Sequence, residues 1–263
     1  VPLGILNGIG TGIFWAVMNM LQYIFTSHEM RHQYFGRQTF WLSLTTGLAP
    51  LMGGAIISLA GMLISKSFGY ASVFFFIALL MVALLREAQV LPDHKGVDFS
   101  MRHVIAHKRT YAWKLGLLQN FFYGLFDFIG MAFVGVLMFL VIREEFVLGA
   151  ITALGAFVMA VAGLASGRVL MRNQKSFIPA AILAGLGIAT FTYQQNWWGV
   201  LAFTFIFHIG MPLVNIASAK TSFDVMDRFE EHWQKKYHLF LERESVLSMG
   251  RMLSFIVFLF FIN

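Results

Sequence analysis

Two side chains able to carry a proton stand where lipid would make either one costly. Asp127 lies in the stretch NFFYGLFDFIG (residues 120–130), inside a long apolar run, and His208 lies inside another. A charged carboxylate deep in a bilayer is kept where it has a partner, a water-filled cavity or a proton to move. Each residue falls within a turn of the middle of its run, so the two are placed at similar depth. A buried carboxyl or an imidazole titrating near neutrality can load a proton from one side and release it to the other. Depth alone makes Asp127 and His208 candidates for proton coupling or substrate contact. The structural alternatives are a hydrogen-bonded carboxylate for Asp127 and a satisfied interior histidine beside Pro212 for His208.

Further polar side chains interrupt the apolar runs. Trp15, Asn19, Asn120 and Asn215 are candidates to line a cavity, since amides orient a polar solute and an aromatic ring covers its apolar face; interhelical hydrogen bonding would explain the amides equally well. Arg251, in SMGRMLSF, is expected to snorkel or to pair with Glu244, as a structural or gate contact. Other chemistries find no residues. Cysteine is absent, which excludes disulfides, thiolate metal sites and cysteine nucleophiles. His103 and His107 are four apart but lack further ligands, so neither a metal nor any other cofactor is expected. No phosphate-binding loop pattern is present, so no nucleotide is expected, and no cluster of carboxylates suggests an intramembrane enzyme.

The elements that must hold these residues follow from composition. The chain of 263 residues is 58% hydrophobic and 12% charged, with a mean hydropathy of +0.72 and 29 phenylalanines. That apolar load calls for lipid as solvent, not a soluble core. Eight runs long enough to cross a bilayer are predicted, at 3–25, 39–64, 69–85, 115–142, 147–167, 177–194, 197–219 and 245–262. They read as helices, which makes the expected fold an all-α polytopic membrane protein of about eight transmembrane helices.

The 19 lysines and arginines fall almost entirely in the connections after the first, third, fifth and seventh runs. Only Lys66 and Arg143 lie in connections on the other side. Basic residues mark the cytoplasmic face, so loops 26–38, 86–113, 168–176 and 220–244 are expected there, with the plasma membrane as the expected location. The net charge of +6 then points to the bilayer surface, not to nucleic acid. Residues 86–113 read as a polar linker between segments 1–85 and 114–263. In 220–244, Phe223, Met226, Phe229, Trp233, Tyr237 and Phe240 recur at spacings of three and four, predicting an amphipathic helix.

Glycine and proline add a second pattern. Gly4, Gly8 and Gly12 recur every four residues in the first run, and the second contains GLAPLMGG with Pro50, Gly53 and Gly54. Such positions predict close helix crossings and a bend. GIGTG resembles the glycine-rich part of the fourth helix of the major facilitator superfamily of secondary transporters. GLAPLMGG resembles the GPxxGG element of its fifth helix, a feature of antiporter members. SGRVLMR, with Arg168, is similar to the basic motif after its eighth helix.

The resemblance implies family helices four to eleven, and it implies that this chain is part of a longer protein. It also implies secondary active transport of a small solute by alternating access, proton-coupled and efflux-type, with the bilayer, the solute and protons as partners. A non-transporting membrane remnant or scaffold is the alternative.

Overall fold

A computed structural model describes residues 2–88, 100–128, 134–231 and 236–262. Ten α-helices follow in order: α1 (Pro2–Phe25), α2 (Arg31–Leu63), α3 (Lys66–Ala88), α4 (Met101–Ala106), α5 (Tyr111–Phe128), α6 (Val134–Ile142), α7 (Glu145–Arg172), α8 (Phe177–Tyr193), α9 (Trp197–Asp227) and α10 (Tyr237–Ile262). No strand occurs among the described residues. A helix satisfies its own backbone hydrogen bonds, which is the condition for crossing hydrocarbon.

Among the described residues, five stretches qualify as spans by length and composition: Arg31–Leu63, Ser67–Arg86, Phe146–Arg172, Gln174–Tyr193 and Trp197–Asp227, with a shorter apolar segment at Gly12–Phe25. That is fewer than the eight expected. The fourth predicted run is divided between α5 and α6, with 129–133 outside the described residues, and charges at 242–244 and 251 interrupt α10. The outer surface suits lipid: Phe74, Phe75, Leu79, Leu84 and Leu85 of α3 are all exposed.

The helices outrun the hydrocarbon at the basic-rich end. α2 begins at Arg31, inside the predicted loop 26–38, and α7 continues to Arg172. The predicted amphipathic helix over 220–244 is not one element. α9 runs on to Asp227, α10 starts at Tyr237, and Arg228 to Glu231 form a turn and a bend between them. The ends of two long helices supplied the periodicity read as one surface helix. Their aromatic faces are buried inward: Phe223, Met226 and Phe240 form a core with Tyr23, Phe35, Trp113, Leu170, Ile216 and Leu239. Trp113 is 1% exposed in that core. A second core joins α6, α7, α8 and α9 through Met138, Ile151, Phe191, Phe203 and Phe207.

Glycines make the tight crossings, but not the ones expected. No atom lies within 4 Å of where a Cβ would sit on Gly12, Gly53 or Gly54, while Gly4 and Gly8 lie outside the residues whose side chains are described. α2 instead meets α7 through Gly36 and Gly167; a Cβ on Gly36 would lie 2.9 Å from the Gly163 carbonyl oxygen. α5 meets α10 through Gly124 and Gly250. Spacing shows that a stripe is smooth; a neighbour decides which stripe is used.

Candidate functional site

Polar residues from both sides of the 86–113 connection surround one cavity of about 240 Å³. α1 contributes Trp15, Asn19 and Gln22; α2 contributes Gln38 and Thr39. α5 supplies Asn120 and Tyr123, and α9 supplies Asn215, Ser218 and Ser222. Arg243, Glu244 and Arg251 come from α10. All four amide and aromatic candidates read from the sequence therefore converge, joined by Gln22, Gln38, Tyr123 and Arg243. Tyr123 donates its hydroxyl to Asn215 Oδ1 at 2.9 Å, and Asn120 Nδ2 donates to the Gly116 carbonyl at 2.7 Å. A cavity of this size is below the range for drug-sized ligands, so it suits a small solute.

The charges of the cavity are internally neutralised. Arg243 Nη2 donates to Glu244 Oε1 at 2.8 Å, and Asn19 Nδ2 donates to the same oxygen at 3.0 Å. Arg251 does not pair with Glu244 as expected. It reaches across to α5, where its Nε and Nη2 lie 2.9 and 2.7 Å from Asp127 Oδ2. The carboxylate read as solitary in its run thus has a cationic partner 124 residues away. The Asp127 side chain is 13% exposed and that of Arg251 44%.

His208 stands apart from this cavity and does not line it. Its Nδ1 lies 2.8 Å from the Thr204 carbonyl, and because a carbonyl only accepts, Nδ1 carries the hydrogen. The ring sits between Phe203 and Phe207 and against Gly155 of α7, where a Cβ would come within 2.8 Å of it. Similar depth along two helices did not mean one site. Arg168 lies elsewhere too, lining a smaller cavity between α2 and α7 with Gln33, Arg37, Leu164 and Gly167.

Beyond the cavity, at the basic-rich helix ends, lies an ion cluster. Arg31 of α2 is 2% exposed; its Nη1 lies 3.0 Å from Asp224 Oδ1 and 2.5 Å from Asp227 Oδ2, both on α9. The Tyr23 hydroxyl donates to Asp227 Oδ1 at 2.7 Å and accepts from Lys236 Nζ at 2.8 Å. Lys236 also donates to the Met226 carbonyl at 2.8 Å, and burial pulls its ammonium below the usual lysine range. Lys220 pairs with Asp224, and the Arg31 guanidinium lies 5.3 Å from the Tyr23 ring centre. His28 joins Asp224 at 2.9 Å. His28, Asp224 and Asp227 place ligand atoms close together, but Arg31 and Lys220 already compensate the two carboxylates, so the arrangement is one of ion pairs. Next to it, Glu242 accepts from Trp113 Nε1 at 2.7 Å and pairs with Arg109, docking the start of α5 on α10. Together these contacts tie α1, α2, α5, α9 and α10 to one another at the basic-rich end.

The model of the Major Facilitator Superfamily matches residues 1–232. The chain belongs to that superfamily. Members of that superfamily are transporters, and the apolar helices here accord with an integral membrane protein. The chain is also similar to "Uncharacterized protein YqgE" of Bacillus subtilis (strain 168), 22% identical over 268 residues, covering 98% of this chain and 60% of that protein. The chain thus spans about three-fifths of the length of the curated relative it matches. No solved structure matches.

In facilitator terms, α1 to α3 and α5 to α10 stand on opposite sides of the connecting segment, and both line the cavity. The ion cluster joins the same two groups: Tyr23 and Arg31 from one, Asp224, Asp227 and Lys236 from the other. Tyr23 sits at the end of the first apolar run, Arg31 in a predicted loop, and Asp224, Asp227 and Lys236 on the charged face of the predicted amphipathic helix, so nothing along the chain joins the five. The available signal was aromatic residues interleaved with charges, as in SFDVMD (222–227).

Proposed function

We propose that the protein containing this chain carries a small polar solute across the membrane by alternating access. The observation that supports it best is one polar cavity lined from both sides of the connecting segment and closed at one end by ion pairs between those same two groups. With the basic-rich face taken as the cytoplasmic one, we read these ion pairs as a closure toward the cytoplasm. Opening would separate Arg31 and Tyr23 from Asp224 and Asp227 and admit solute from within.

Amides on four helices offer both donors and acceptors, which suits a solute recognised by hydrogen bonds. Asp127 and Arg251 form the site at which a coupling proton would act, because protonating Asp127 removes the counter-charge from a cavity-lining arginine. His208 has no part in this reading, since its imidazole is enclosed between α7 and α9.

These 263 residues hold no cysteine, so with any cysteine elsewhere in the full-length protein replaced by serine an introduced one is a clean reporter. In the full-length protein, Gln38→Cys should react with a membrane-impermeant maleimide offered from either face, at different rates. Reaction from one face only, under every condition tried, would remove alternating access.

A further inference from the structure

The basic-rich end holds a second cavity whose charges are not balanced. Where α2 crosses α7, about 180 Å³ is lined by Arg37 and Gln33 of α2 and by Arg168, Leu164 and Gly167 of α7. Elsewhere on these helices Arg31 pairs with Asp224 and Asp227, Lys220 with Asp224, Arg243 with Glu244 and Arg251 with Asp127. Neither Arg37 nor Arg168 has a carboxylate within salt-bridge distance among the described residues. Two guanidiniums, one from each side of the connecting segment, therefore line one cleft whose lining contains no acid.

We infer that this cleft binds the phosphate headgroup of an anionic phospholipid. A guanidinium pairs with phosphate oxygens through parallel N–H donors, and two from different helices can clamp one phosphodiester. The position suits a lipid. Arg37 lies two turns into α2 and Arg168 one turn from the end of α7, near the basic-rich ends of two helices long and apolar enough to cross a membrane. Leading away from that end, Val161, Phe157 and Leu164 of α7 and Trp41 and Leu48 of α2 are exposed and apolar, a surface along which acyl chains can lie. Because the arginines belong to α2 and α7, a headgroup between them would hold the two groups of helices together, as the ion cluster does nearby.

The test uses the full-length protein reconstituted in phosphatidylcholine vesicles with or without phosphatidylglycerol, with melting midpoint and lipid retained on extraction as readouts. Phosphatidylglycerol is expected to raise the midpoint and to be retained. Arg37→Gln and Arg168→Gln are each expected to weaken retention about fivefold, with Arg172→Gln, outside the cleft, unchanged. Arg37→Lys should restore part of the loss, separating a charge effect from misfolding. Equal retention in all variants overturns the site. An equal rise from inorganic phosphate in pure phosphatidylcholine overturns the lipid as its occupant.

Discussion

Removing Arg31 should open the basic-rich end of the cavity, by an amount the structure allows one to work out. Arg31 makes three N–H···O contacts with carboxylates, at 2.5, 3.0 and 3.2 Å, and its side chain is only 3% exposed. A hydrogen bond to a charged group contributes about 1.5–3 kcal/mol, so the gross gain is large. Burying the guanidinium offsets much of it. Arg31→Gln would not strand its partners badly: Asp224 keeps Lys220 and His28, while Asp227 is 37% exposed and keeps the Tyr23 hydroxyl. The net loss is then about 2 kcal/mol, carried by contacts that exist only while the two groups of helices meet at this end.

That corresponds to about a thirtyfold shift in population toward the open state. With Gln38→Cys in a background freed of other cysteines, maleimide offered from the basic-rich side should label Arg31→Gln about thirtyfold faster than the parent, or until labelling becomes chemically limited. Adding Asp227→Asn to Arg31→Gln should accelerate labelling by less than the product of the two single effects, because both remove one contact. An unchanged labelling rate in a variant that still melts cooperatively would refute the account of this cluster as a closure.

Gly124→Ala should lower the melting midpoint by about 2 kcal/mol equivalent, since a Cβ there would lie 2.2 Å from the Leu247 carbonyl oxygen and must part α5 from α10. Gly12→Ala, with nothing within 4 Å, should leave the midpoint unchanged or raise it. Asp127→Asn leaves Arg251 unpaired but 44% exposed, so it should cost about 1 kcal/mol, and Asp127→Asn with Arg251→Gln should be more stable than the sum of the single changes implies. Lys236 has a depressed pKa in the folded protein, so the folded state binds fewer protons than the unfolded one between that value and 10.5. The stability of the parent relative to Lys236→Met should therefore rise with pH across that window, read as the difference between their denaturation midpoints; a flat difference contradicts the burial of its charge.

The helices were legible because hydrophobic length is a local property, and so was the set of amides around the cavity, because a polar residue inside an apolar run stands out by itself. Asn19, Asn120 and Asn215 were found that way. What escaped was pairing and register. Asp127 and Arg251 are 124 residues apart, and nothing along the chain ties them. Arg31 and Asp227 read as loop charges because α2 and α9 extend past the apolar window that defines a span. Gly12 and Gly124 look alike in sequence, and only the helix opposite distinguishes them.

The pairing of charges constrains coupling more tightly than depth did. In the closed state every cavity-lining charge has a counter-charge: Arg243 with Glu244, and Arg251 with Asp127. A neutral solute can enter such a cavity without changing its charge balance. A proton arriving at Asp127 does change it, because neutralising the carboxylate leaves Arg251 as an uncompensated cation lining the cavity. Protonation and binding of an anionic group at Arg251 then favour one another, and linkage requires the effect to be mutual. Proton coupling through Asp127 consequently demands a solute bearing negative charge. Transport of an anion by this route should quicken as pH falls and lose that dependence in Asp127→Asn, measured in vesicles with an imposed pH gradient. Transport of a neutral solute with the same pH dependence would show that the proton passes through some other group.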